Sequence, residues 1–138
     1  MKQLLSVLAY LHSKDIVHRD IKLDNIVVMS KEGMDGFYSI KIIDFGLAIR
    51  VGRAKRVPAG TRHYMSPEAF KAVQNPKSDV WSAGICLYLL FAGSFPFDGN
   101  SGNEIMEAVN SSIVNFSGTH FPTIQERSGE EYRSKPKI

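Results

Sequence analysis

The chain has 138 residues, 43% hydrophobic and 22% charged, which suffices for one globular domain with a modest core and is ordinary for a soluble protein. Lys and Arg number 17 against 14 acids, a net charge of +3 with no basic stripe interleaved with aromatics, so nucleic acid is excluded as an expected partner. The single cysteine, Cys86, can close no intrachain disulfide and lies in an apolar run, so the expectation is an intracellular, cytoplasmic setting with Cys86 as a small buried hydrophobe.

Met1-Lys2 followed by Leu4 to Leu11 has the basic start and short apolar stretch of a signal peptide, but Ser6 and Tyr10 interrupt it and no small-x-small cleavage site follows. Leu4, Leu5, Leu8 and Leu11 instead fall at helical spacing and predict one face of an amphipathic helix over Lys2 to Ser13. Val17 to Asn25 reads as a polar loop, followed by two β-rich strands, Ile26 to Met29 and Ser39 to Ile43. Between them, Ser30-Lys31-Glu32-Gly33-Met34-Asp35-Gly36 has the composition of a hairpin connection that bulges into solvent.

From Leu47 to Pro67 there is no sustained period. Val80 to Ala92 is apolar nearly all round, with Ser78 expected as N-cap and Asp79 in the first turn, and a helix without a polar face is expected in a core. It falls short of the ~20 residues needed to span a bilayer, so no membrane partner is expected. A loop rich in Gly, Asn and Ser then leads to a short predicted helix, Asn103 to Asn110, while Glu126 to Ile138 is too charged to pack and is expected to be mobile. His12, His63 and His120 are too scattered for a metal site and are expected at the surface or in loops.

Two strings carry chemistry: His18-Arg19-Asp20-Ile21-Lys22-Leu23-Asp24-Asn25, and Asp44-Phe45-Gly46. Each is weak alone, but they occur in order with Gly60-Thr61 to Glu68 and with Asp79-Val80-Trp81-Ser82-Ala83-Gly84. With this ordered set the chain resembles Ser/Thr protein kinases. Gly60-Thr61-Arg62-His63-Tyr64-Met65-Ser66-Pro67-Glu68 and Ile42-Ile43-Asp44-Phe45-Gly46-Leu47-Ala48 look most like the calcium/calmodulin-dependent-type group, although no EF-hand loop or calmodulin-target helix is present. Small-molecule phosphotransferases of kinase-like fold share the aspartate-to-asparagine spacing but not this combination.

The resemblance implies the cofactors ATP and Mg²⁺ and a protein substrate with a Ser or Thr acceptor. It implies that Asp20 orients the acceptor hydroxyl and takes its proton, and that Lys22 neutralises charge on the γ-phosphate. Asn25 and Asp44 are then the metal ligands, and Lys22, Asp24, Asn25 and Asp44 the nucleotide-binding set, with Thr61 bridging Asp20 and Lys22. Asp24 is also placed to attract basic residues of a peptide; the second acid of strongly basophilic relatives is replaced by Leu89, which leaves that preference open. Lys22 marks the Ser/Thr class, and Leu47 hints at Ser over Thr.

His18 and Phe45 are expected to pack in the hydrophobic spine, and Asp79 to hold the catalytic loop through its backbone N–H groups. Leu47 to Pro67 is, by the resemblance, the activation segment. Arg19 belongs to kinases that neutralise this arginine with a phosphate on that segment, yet no Ser, Thr, Tyr, Asp or Glu occurs from Leu47 to Gly60, while Arg50, Arg53, Lys55 and Arg56 add positive charge. Phosphorylation there is therefore not expected to act as a switch.

The implied fold is α+β, mainly α: a kinase-like C-terminal lobe over residues 1–122 with a small catalytic-loop β-hairpin, followed by a mobile or aberrant tail over 123–138. No glycine-rich loop and no Val-Ala-Ile-Lys strand occurs, so the N-terminal lobe is expected to be absent and the chain to be a fragment, inactive alone, whose partners include a missing lobe or regulatory domain. The family's last helices, with the arginine that pairs the Glu68 position, are also absent, leaving Glu68 without its expected partner. The rival expectation is a non-catalytic kinase-homology protein that competes for kinase partners or substrates.

Overall fold

The computed structural model describes residues 1–31, 38–52, 57–73, 75–111, 113, 114 and 116. The tail at Glu126 to Ile138, most of the connection at Ser30 to Gly36, the basic residues Arg53, Lys55 and Arg56, and His120 lie outside the described residues.

The first helix, α1, spans Lys2–Ser13, as its leucine spacing predicts, and buries Leu4, Leu8 and Leu11. Leu5 does not share that face and is 45% exposed. The chain then forms β1 (Ile16–Val17), a 3₁₀ turn at Leu23–Asn25, β2 (Ile26–Lys31), β3 (Tyr38–Ile42) and β4 (Ile49–Arg50). β2 and β3 make an antiparallel ribbon with Ile26 opposite Ile42, and one extra residue between Val28 and Lys31 bulges β2. Gln3 of α1 clamps the free edge of β3: its amide nitrogen donates to Tyr38 O at 2.8 Å and its amide oxygen accepts from Ile40 N at 2.9 Å. The side chain thus mimics a strand at an edge that would otherwise carry open backbone groups.

β1 and β4 form a second ribbon with Val17 opposite Ile49. It corrects one expectation, since Val17 is strand rather than polar loop, and it places a short strand within the aperiodic stretch from Leu47. Two residues are too few to show a period; pairing with β1 decides their conformation.

A 3₁₀ turn at Arg62–Tyr64 follows, and then, among the described residues, three α-helices: α2 (Pro67–Phe70), α3 (Pro76–Ala92) and α4 (Gly102–Ser111). α3 begins four residues before Val80 and its N-cap is Asn75, not Ser78. Asn75 Oδ1 accepts from Lys77 N at 2.8 Å, Pro76 fills the first helical position, where its missing N–H costs nothing, and Ser78 serves as the N3 member of a capping box. Gly93 closes the helix in the left-handed conformation, φ 72°.

The core joins α1 (Leu4, Leu8), α3 (Ala83, Ile85, Cys86) and α4 (Ile105, Val109) around Ile21, Tyr64 and Phe97. Burial pushes the Cys86 thiol up to about 11, as expected of an inert packed cysteine. α3 is not buried all round. Val80, Leu87, Leu90 and Phe91 are exposed, while its inward face carries the polar residues Ser78, Asp79 and Ser82. Among the described residues, no helix is long and apolar enough to cross a membrane.

Candidate active site

The polar face of α3 is what fixes the loop after β1. Asp79, 1% exposed, accepts from His18 N and Arg19 N at 2.9 Å each, one on each carboxylate oxygen. His12 Nε2 also lies 2.9 Å from Asp79 Oδ2, so His12 is an internal link between α1 and α3 and not a surface residue. The signal for it was present: His12 is four residues beyond Leu8, on the buried face of α1. Ser82 Oγ reaches Tyr64 O at 2.7 Å and Ser78 Oγ donates to Glu68 Oε1 at 3.1 Å, so α3 also holds the segment after Gly60, and Glu68 has a partner after all.

His18 is fully buried. Its Nδ1 accepts from Asp20 N at 3.3 Å, which assigns the ring hydrogen to Nε2, 3.2 Å from Ile43 O. Phe45 packs edge-on against it with ring centroids 4.8 Å apart, although Phe45 itself is largely exposed. The β2–β3 register does the remaining placement. With Ile26 opposite Ile42, Ile43 N donates to Asn25 O at 2.9 Å, which brings Asn25 beside the residue before Asp44.

Asp20 lies at the centre of this frame. Its Oδ1 accepts from Thr61 N at 2.9 Å and Thr61 Oγ1 at 2.8 Å; its Oδ2 is 2.9 Å from Lys22 Nζ and 3.2 Å from Asn25 Nδ2. Lys22 Nζ also donates to Thr61 Oγ1 at 3.0 Å, so Thr61 bridges carboxylate and ammonium. Burial alone would raise the Asp20 carboxyl, but hydrogen bonds from Lys22 and Thr61 outweigh it and hold Asp20 below its usual 3.8. The same contact with Asp20, reinforced by the fields of Asp24 and Asp44, lifts Lys22 above its usual 10.5.

Thr61 reaches Asp20 because of Gly60. Its φ is 112°, and a Cβ there would come within 2.5 Å of Arg19 O, a backbone atom that cannot yield. Arg19 and Asp44 have φ of 70° and 60°, left-handed conformations that non-glycine residues adopt at a cost of about 1–3 kcal/mol when their surroundings hold them. Arg19 is so held: its N–H bonds Asp79 and its Nε donates to Leu47 O at 2.6 Å.

The structure therefore brings Asp20, Lys22, Asn25 and Thr61 into one hydrogen-bonded cluster. Asp24 and Asp44 stand apart from it, exposed and coupled to Lys22 only through their charge. Asn25 spends its amide nitrogen on Asp20, donating also to Asp20 O at 2.8 Å, so its side-chain oxygen is the end left for a ligand. Asp44 Oδ1 accepts from Gly46 N at 3.1 Å. An amide oxygen and a carboxylate beside a lysine form a donor set that suits Mg²⁺ with phosphate, because Mg²⁺ takes few protein oxygens and keeps several waters.

The model of the protein kinase domain matches residues 1–135. The chain is 42% identical over 112 residues to calcium-dependent protein kinase 6 of Plasmodium berghei (strain Anka), covering 79% of this chain and 7% of the relative. It is 39% identical over 131 residues to calcium-dependent protein kinase 3 of the same organism, and 35% identical over 130 residues to calcium-dependent protein kinase 4 of Plasmodium falciparum (isolate 3D7), each covering 93% of this chain. The chain spans 23% and 24% of those two relatives' lengths. The chain belongs to the protein kinase family. By that resemblance it is of the serine/threonine class, and its likeness to calcium-dependent kinases agrees with the group its motifs suggested.

Proposed function

We propose that these residues form the catalytic half of a Ser/Thr protein kinase, the C-terminal lobe, transferring the γ-phosphoryl group of ATP to a protein hydroxyl. The observation that carries this reading is Thr61 Oγ1 bridging Asp20 Oδ1 and Lys22 Nζ, which holds an ionised carboxylate and a cation side by side before substrate arrives. The substrate oxygen forms a bond to the γ-phosphorus as the bond to the β–γ bridging oxygen breaks, and the hydroxyl proton passes to Asp20. Lys22 offsets charge on the moving phosphoryl group. Asn25 and Asp44 would hold Mg²⁺, which supplies neutralisation of phosphate charge when bound. Intracellular action on protein substrates is part of this reading.

Ile43, Asp44, Phe45 and Leu47, the stretch that holds the proposed Mg²⁺ ligand Asp44, are all exposed. That supports the view that these 138 residues supply one wall of an ATP cleft, and that a longer polypeptide containing them supplies the other. Calcium dependence belongs to the names of the relatives, and we place a calcium-sensing element outside these residues because their sequence contains no EF-hand loop.

The test is phosphoryl transfer from labelled ATP to matched Ser, Thr and Tyr peptides by the longest natural polypeptide that contains this segment. Transfer to Ser and Thr but not Tyr, lowered at least about a hundredfold by Asp20→Asn, is expected. Transfer unchanged in that variant would overturn the assignment of Asp20. In parallel, ATP titrated into the 138-residue polypeptide alone is expected to bind far more weakly than to the longer one.

A further inference from the structure

A groove of about 420 Å³ runs between the segment after Val57 and the start of α4, lined by Pro58, Met65, Phe70, Met106 and Arg62 among others, with Arg62 its one charged side chain among the described residues. The Arg62 guanidinium lies across Gly102, the first residue of α4. A Cβ at that position would come within 2.9 Å of Nε and 3.0 Å of Cζ and Nη1, so only glycine leaves the guanidinium this resting place. Among the described residues no carboxylate pairs with Arg62. The acid one turn into α4, Glu104, is committed elsewhere: Asn100 N donates to Oε2 at 2.8 Å and Ser101 Oγ to Oε1 at 3.1 Å. The lining mixes backbone and the Asn103 amide with the apolar side chains of Pro58, Met65, Phe70 and Met106, and among the described residues the exposed cation has no acidic partner.

The position of the groove matters as much as its charge. Arg62 follows Thr61, whose N–H and hydroxyl both bond Asp20, and Met65 lines this groove as well as the hollow beside Asp20. An extended peptide advances about 3.3 Å per residue, so a peptide with its hydroxyl at Asp20 that runs toward Met65 would bring a neighbouring side chain to the groove. We propose that Arg62 is a specificity-determining residue that selects protein substrates carrying Asp or Glu next to the phosphorylated Ser or Thr. Met65, Phe70 and Met106 flank the aliphatic stem of that side chain, and the guanidinium fork meets its carboxylate, the geometry for which arginine is better suited than lysine. The proposal rests on the phosphotransfer reading above and names the substrate class of the same site.

The test uses peptides identical except for Glu, Gln or Lys placed on either side of the Ser, presented to the longest natural polypeptide containing this segment. Transfer efficiency is read as kcat/KM, and binding is read separately by fluorescence anisotropy on labelled peptides whose Ser is replaced by Ala. The wild type is expected to favour Glu over Gln by about five- to tenfold on one side of the acceptor in both readouts. Arg62→Ala should abolish the difference, Arg62→Glu should turn it into a preference for Lys, and Arg62→Lys should restore part of it. The charge-reversed preference is one that a merely structural role for Arg62 could not produce. A wild type indifferent to Glu, or a Glu preference that survives Arg62→Ala, overturns the proposal. Binding that prefers Glu and loses this in Arg62→Ala, with no transfer to any peptide, supports the groove's role while removing the kinase reading.

Discussion

Asp20 shows how a sequence motif becomes a working group only when its neighbours are in place. Its carboxylate is nearly buried, yet donors from Lys22 and Thr61 favour the charged form over the cost of desolvation. Because the folded carboxyl titrates below its unfolded value, the ionised pair stabilises the fold above about pH 4, and that contribution is lost as pH falls through the folded value. Lys22 is shifted upward, so its share is present below its usual 10.5 and is lost only as pH rises past the folded value. Stability compared by urea midpoints should therefore show wild type keeping a fixed relation to Asp20→Asn between about pH 5 and pH 9 and losing ground to it below about pH 4. A difference that stays constant down to pH 3 would contradict the pairing. Arg62 teaches the converse lesson: it stands beside the conspicuous motif residues, and only the absence of a carboxylate partner among the described residues marks it out.

At the scale of elements, α3 works as a post to which two loops are tied. Its apolar composition conceals that Ser78, Asp79 and Ser82, spaced so that they share one face, meet Glu68, the loop after β1, and Tyr64 respectively. Asp79 accepts from two backbone N–H groups and from His12, so Asp79→Asn would turn an amide NH₂ toward at least one donor. A loss of about 2–4 kcal/mol in unfolding free energy is expected by chemical denaturation, with His12→Phe costing only about 1 kcal/mol because it removes one donor and leaves the other two satisfied. Equal costs for the two variants would refute the view that the backbone contacts dominate. Length and spacing make α1 legible to the residue, whereas Ser78, also a good cap, obscures the start of α3; Asn75 prevails because Pro76 follows it with φ already set.

Across the whole molecule, the described residues leave an apolar strip on α3 open to solvent, with Leu90 67% and Phe91 60% exposed. A polypeptide of these 138 residues alone should associate as its concentration rises, and Leu90→Gln with Phe91→Gln should keep it monomeric by sedimentation, with a denaturation midpoint little changed. Association undiminished in that double variant would place the contact elsewhere. The same face limits what sequence can say, because an all-apolar helix reads as buried whichever neighbours it has. By itself the sequence determined the family, the motif residues and the bounds of α1, since these depend on residue type and on spacing within a few turns of chain. Only the tertiary structure decided that β4 pairs with β1, that His12 joins Asp79, that one face of α3 is exposed, and that Arg62 lies over Gly102. Each of these depends on which distant segments meet, and contacts between residues far apart in the chain leave no periodic trace in it.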